Sequence, residues 1–246
     1  MLSVCHRAAS ESVWLFLALS MLAGSAHPLA TDGTPALRWA EGQSGCTFSA
    51  DDDGRYRYGL WTDDFGVVLA VDSLELQKAL RRTEPIFAVL LTVRYRGKDS
   101  LSLKPETINL EFVKHYHDVQ PALDPDDTSA RLQKHADAFA QETEREIQKH
   151  PEKKAEKESA LQEQQKTISD MREFLRTRSL RAATLDPSHP EINGWVLFRA
   201  RSKWVGDWKK QEEFVLRIPL AERVLEFPFA LPPSRGDLLL RQRPGN

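Results

Sequence analysis

Two groups of side chains in this 246-residue chain have types and spacings suited to chemistry. In His115-Tyr116-His117-Asp118 the imidazoles stand at alternate positions. Alternate residues of a β-strand project to one face, so His115 and His117 could chelate zinc or copper together and serve a metal-dependent hydrolase. A closed metal site needs three or four ligands, and His135 or His189 would have to supply the rest. Register argues against it. Both histidines share parity with Asn109 and Glu111, opposite to Ile108, Leu110 and Phe112, which turns their rings to solvent at a strand's end.

The second group is Trp195, Trp204 and Trp208. Trp204 and Trp208 bracket a Gly-Asp turn, and an aromatic platform there would suit a carbohydrate-binding module. The competing reading has these indoles closing the end of a core, as large aromatic side chains mostly do. The sequence contains no Gly-x-Ser-x-Gly elbow, Ser-x-x-Lys, Walker loop, dinucleotide fingerprint or Cys-x-x-Cys, so it names no catalytic residue and calls for no cofactor. Ser49, Asp51, Asp53 and Gly54 imitate the opening of a calcium-binding EF-hand loop. The twelfth position is Leu60, where a bidentate Glu is required, so Asp53-Gly54 reads as a hairpin turn joining strands at 46–49 and 55–61.

The elements that must position these groups are mostly strands. Residues 194–202 place Val196, Phe198 and Ala200 on one face and Arg199, Arg201 and Lys203 on the other; Phe214, Leu216 and Ile218, then Phe227, Phe229 and Leu231, repeat the two-residue period. Pro228 marks its strand as an edge. Residues 86–96 form the strongest strand, with Phe87, Val89, Leu91, Val93 and Tyr95 on one face and Ile86, Ala88 and Leu90 beginning the other, so it should be central. Further strands are expected at 66–71 and 108–114, a short helix at 73–82, and a closing strand at 238–240.

Composition changes abruptly between Asp126 and Arg181, where twelve acidic and twelve basic residues stand with no Gly and one Pro. Asp124 suits a helix cap, Pro125 the first helical position, and Pro151 the start of a second helix. A chain reversing there faces Leu132 with Ile168 and Phe139 with Leu161. Only Ile147 is large and apolar between 144 and 159. An antiparallel αα-hairpin is therefore expected with a packed base and a solvated tip, each helix about 37 Å long.

Residues 1–26 read as a signal peptide cleaved after Ala26, with a retained anchor as the alternative. Ser25 occupies the place of a lipobox cysteine, which excludes lipidation there. Cleavage leaves Cys46 alone, so no internal disulfide forms and a buried free thiol is expected. A net charge of −2 provides no basic field for nucleic acid. The expected organisation is a linker at 27–44, a β-sandwich split between 45–123 and 185–246, and the charged helical insertion at 124–184, with no membrane span after cleavage.

The strand pattern over about 56–112 and 194–231 resembles the immunoglobulin-like, telokin-type sandwiches of bacterial envelope proteins of unknown function. It lacks the cysteine and tryptophan signature of antibody domains. The resemblance implies a non-enzymatic role and carries over no functional residues. The expectation is a periplasmic or secreted binding or assembly module; the hairpin's charges read first as a solvated face held by pairs such as Lys154 with Glu158, and alternatively as a surface that meets another envelope protein.

Overall fold

The computed structural model describes residues 36–50, 55–72, 85–201, 204 and 210–233. The leader at 1–26, the turn at 53–54, the helix at 73–82, Trp208 and the strand at 238–240 lie outside the described residues.

The strand expected at 86–96 is β5, Ile86–Tyr95, flanked by β4 (Phe65–Asp72) and β10 (Glu191–Arg199). Its sheet continues through β3 (Arg55–Trp61) to β2 (Cys46–Ala50), giving the order β10-β5-β4-β3-β2. A second five-stranded sheet has the order β1-β12-β11-β7-β8, from Ala36–Arg38, Arg223–Leu231, Glu212–Leu220, Asn109–Phe112 and Asp118–Pro121. A third, two-stranded sheet pairs β6 (Leu101–Leu103) with β9 (Ala183–Leu185).

Period-two patterning explains the layering. Phe87, Val89, Leu91 and Val93 enter one core with Val196, Phe198, Leu110, Phe112, Phe214, Leu216, Ile218, Leu225, Phe227 and Phe229, so the two large sheets share an apolar interior. The other face of β5, with Ile86, Ala88 and Leu90, joins Trp195 and Leu197 in a separate apolar cluster. Strand β10 is therefore buried on both faces from Gly194 to Phe198, not half-buried as its arginines suggest.

Helices α1 (Pro125–Lys149) and α2 (Lys154–Arg178) occupy the chain between β8 and β9, joined by a 3-10 turn, Pro151–Lys153. The Asp124 carboxylate accepts from the backbone N–H groups of Asp126 and Asp127 at 2.8 and 2.9 Å, which is the expected cap. Arg172 donates to Ser129 Oγ at 3.2 Å, and Arg181 to Asp126, so the helix bases lie side by side. Leu132, Ala136, Ile168, Met171 and Leu175 pack under Trp195 and Leu197.

Several expectations are corrected. Phe139 is 36% exposed, because the buried stripe of α1 runs through Thr128, Leu132, Ala136 and Thr143, with Ala140 half-buried between the last two. Four-residue steps from Leu132 through Ala136 to Ala140 carry the buried stripe about 80° round the helix, away from Phe139. The linker at 27–44 contains β1, drawn into parallel pairing with β12 because Trp39 is buried and its indole N–H donates to the Thr47 carbonyl at 3.1 Å. Pro228 does not make β12 an edge throughout: β1 covers it as far as Glu226, and the missing N–H of Pro228 ends that pairing. Cys46 is free but only half-buried, since its strand lies at a sheet edge. The insertion's end at 184 falls inside β9.

Candidate functional site

The histidine cluster sits where β7 stops. Phe112 is the last strand residue; the N–H of Val113 still donates to the Glu213 carbonyl at 3.0 Å, and the chain then turns twice, the N–H of His115 donating to the Phe112 carbonyl at 3.1 Å and that of Asp118 to the His115 carbonyl at 3.2 Å. Tyr116 and His117 adopt left-handed backbone angles, with φ of 60° and 55°. Strand parity therefore does not extend to 115–117, and the prediction that both rings share a solvent face fails for His115. Its ring folds back over the strand end and stacks on Trp204, 4.5 Å away at 18°. The Arg201 guanidinium lies 5.0 Å from the Trp204 ring, which is itself buried against Phe112.

The two histidines reach different carboxylates. His115 Nε2 lies 3.2 Å from Glu212 Oε2, although neither atom has a well-directed hydrogen bond. His117, 71% exposed, places Nδ1 2.5 Å from Glu111 Oε1. His189 stands by Asp186, and His135 is exposed on α1. Among the described residues no three His, Cys, Asp or Glu side chains gather to hold a metal ion.

His117 is instead the end of a line of charges across the outward face of the second sheet. Arg38 Nη1 meets Glu226 Oε2 at 2.7 Å, Arg217 Nε meets Glu226 Oε1 at 3.0 Å, and Arg217 Nη2 meets Glu111 Oε2 at 2.6 Å. The line crosses β1, β12, β11 and β7. Burial alone would raise the Glu111 pKa, but hydrogen bonds from His117 and Arg217 outweigh it and hold the carboxyl below its usual range. A carboxylate so stabilised is a poor general base near neutral pH. Desolvation alone would lower the Arg217 pKa, but the carboxylates of Glu111 and Glu226 outweigh it and push the value up. Sequence reasoning misses this line. Arg38, Glu111, Arg217 and Glu226 occupy outward positions of strands and His117 a turn, but their adjacency depends on a strand order that periodicity does not encode.

The tryptophans hold layers together. Trp195 is 8% exposed and touches Phe174 of α2, with ring centres 5.8 Å apart. Trp204 is 5% exposed at the other end of β10. Neither offers a free ring face for a sugar.

Both legs of the helical excursion are tied to β10. The N–H of Leu123, just before α1, donates to the Leu197 carbonyl at 2.7 Å, and the N–H of Leu180, just after α2, donates to the Trp195 carbonyl at 2.9 Å. Residues two apart on a strand expose their carbonyls along the same edge. No known protein family matches the chain, and no curated protein or solved structure matches it either.

Proposed function

We propose that the protein is an exported, non-enzymatic binding or assembly module of the cell envelope, periplasmic or secreted. In this reading an immunoglobulin-like sandwich carries a charged αα-hairpin that another envelope protein recognises. The observation that carries it is the double attachment of the arm to alternate carbonyls of β10, backed by the apolar packing of Leu132, Ile168, Met171 and Leu175 on Trp195 and Leu197. That attachment fixes the base, and a fixed base gives a projecting arm a defined direction.

The distal arm has little to do for folding. From 144 to 160 every residue is exposed except Glu146, Ile147 and Lys157, which are half-buried. Its ion pairs, such as Lys149 with Glu146 and Lys154 with Glu158, are solvent-exposed pairs worth only about 0.3–0.5 kcal/mol each. Exposed side chains with little packing role suit recognition. Among the described residues no helix is long and apolar enough to cross a membrane.

The test replaces residues 144–157 by a short Gly-containing turn and compares what the full and shortened proteins retain from envelope extracts. A correctly folded, shortened protein that loses a partner held by the full chain supports the reading. Identical retention by both would overturn it, as would recovery of the full chain outside the envelope and secreted fractions.

A further inference from the structure

The edge of a sheet presents unpaired N–H and C=O groups that a further strand can satisfy, and proteins that stay apart block such edges. Among the described residues, three edges of the two large sheets are blocked or short. Leu123 and Leu180 occupy the edge of β10. Along β8 the outward positions are Val119, Pro121 and Leu123: Pro121 has no N–H, and the N–H of Leu123 is already bonded to Leu197. Strand β12 is covered by β1 up to Glu226 and followed by Pro228, and β1 is only three residues long.

Strand β2 is less protected: among the described residues, the outward group of it that is already bonded is the Cys46 N–H. The strand is five residues, Cys46-Thr-Phe-Ser-Ala50, without Pro or charge, at the edge of its sheet. The carbonyl of Gly45 accepts from the N–H of Trp61 at 2.8 Å, so by alternation Thr47 and Ser49 face β3 while Cys46, Phe48 and Ala50 turn their backbone groups outward. The Cys46 N–H is taken by the Gln43 carbonyl, which leaves the N–H and C=O of Phe48 at the centre of the open edge. Beside it the core is incompletely covered: Leu37, Cys46, Phe48 and Tyr56 pack against it while remaining partly open to solvent. The opposite flank, between β8 and β10, is closed by the Ala122 to Phe198 bridge.

We propose that β2 pairs with β2 of a second copy of the chain, antiparallel and centred on Phe48, joining two five-stranded sheets into one of ten strands. The strand carries no charge, so it meets itself without like-charge contacts. Antiparallel pairing follows from two-fold symmetry: an axis through Phe48 perpendicular to the sheet joins two copies of one edge with their inner faces on the same side. Centring on Phe48 places Cys46 of one copy directly opposite Ala50 of the other. This inference does not depend on the reading of the helical arm.

The register supplies its own test. Residues directly opposite in an antiparallel pair have Cα atoms about 4.5–5.5 Å apart, inside the roughly 4.4–6.8 Å that a disulfide spans. Ala50→Cys treated with oxidised glutathione should give a covalent dimer on a non-reducing gel. Within one chain Cys46 and the introduced cysteine are about 13 Å apart along the strand, as are the two Cys46 residues of the pair, so neither closes. The unaltered chain should sediment as a dimer without crosslinking, and Ala50→Pro, which deletes an outward N–H, should sediment as a folded monomer. A monomeric unaltered chain, an Ala50→Cys variant that does not crosslink, or a folded Ala50→Pro variant that remains dimeric would each overturn the proposal. If Ala50→Pro does not fold by circular dichroism, the Ala50→Cys crosslink decides alone.

Discussion

Leu180 crosses Gly194 so closely that a methyl group on Gly194 would lie 2.6 Å from both the Cα and the N of Leu180. The obstacle is backbone, which cannot rotate away as a side-chain tip can. This contact lets the chain leaving α2 settle onto β10 and bond to the Trp195 carbonyl. Glycine is therefore required by proximity here, not by a turn.

Gly194→Ala should cost about 1–3 kcal/mol, the range for forcing a methyl group into a packed site. The damage should be local. Amide exchange at Leu180 and over the bases of the helices should accelerate, while Val89 to Val93 in the central strand keep their protection. Uniform loss of protection would show that arm and sheets unfold as one unit.

The histidines should separate in their effects. His115 is stacked on Trp204, and an aromatic contact of this kind is worth about 0.5–1.5 kcal/mol beyond the area it buries. His115→Asn should lower stability by about 1–2 kcal/mol and shift the tryptophan fluorescence. His117→Asn should cost less, about 0.5–1 kcal/mol, because Glu111 loses one hydrogen bond but keeps Arg217, and Asn tolerates the left-handed backbone better than His. Equal effects in chemical denaturation would mean that the turn is misread.

How much is legible in the sequence follows from the range over which each signal acts. Period-two alternation is local, so both faces of β5 and the inward set Ile108, Leu110 and Phe112 are readable from residue types and spacing alone. The Asp124-Pro125 helix start and the break at His150-Pro151 are equally local. Strand order is not local. The pairing of β1 with β12 spans 188 residues between Arg38 and Glu226, and nothing in 27–44 announces it beyond the apolar Leu37 and Trp39. The charge line through Arg217 is invisible for the same reason. Parity misplaces His115 because the residue lies three positions past the end of its strand, where alternation no longer applies.

Acid should loosen the outward sheet face through Glu111. Its folded-state pKa is depressed, so its contribution to stability is fully present above the unfolded glutamate value of about 4.3 and disappears as pH falls through the lower folded value. Glu111→Gln removes that dependence. The difference in stability between the two proteins should therefore be constant near neutral pH and shrink below about pH 4. Arg217→Met, which strands a carboxylate only 10% exposed, should cost roughly 1–3 kcal/mol at pH 7. A difference between the unaltered and Glu111→Gln proteins that grows on acidification would reverse the sign and refute the assignment.

The seam between the helices yields the sharpest contrast, because two similar-looking positions should behave differently. Leu132 is 2% exposed and Met171 1%, both in the cluster that seats the helices on Trp195 and Leu197. Truncating either to Ala removes buried methylene groups from a site closed on one side by a sheet, so collapse can fill little of the cavity. The expected cost is about 2–4 kcal/mol in each case. Phe139 is larger, and on heptad spacing it would be the anchor of the middle turn. The seam has moved off it, through Ala136 to Thr143, where small side chains suit a close approach of the two helices. Phe139→Ala should cost less than about 1 kcal/mol, as changes at exposed positions do. Urea denaturation of the three variants compares them directly. A loss on Phe139→Ala as large as that on Leu132→Ala would place the aromatic ring in the seam and move the packed base of the arm about one helical turn outward.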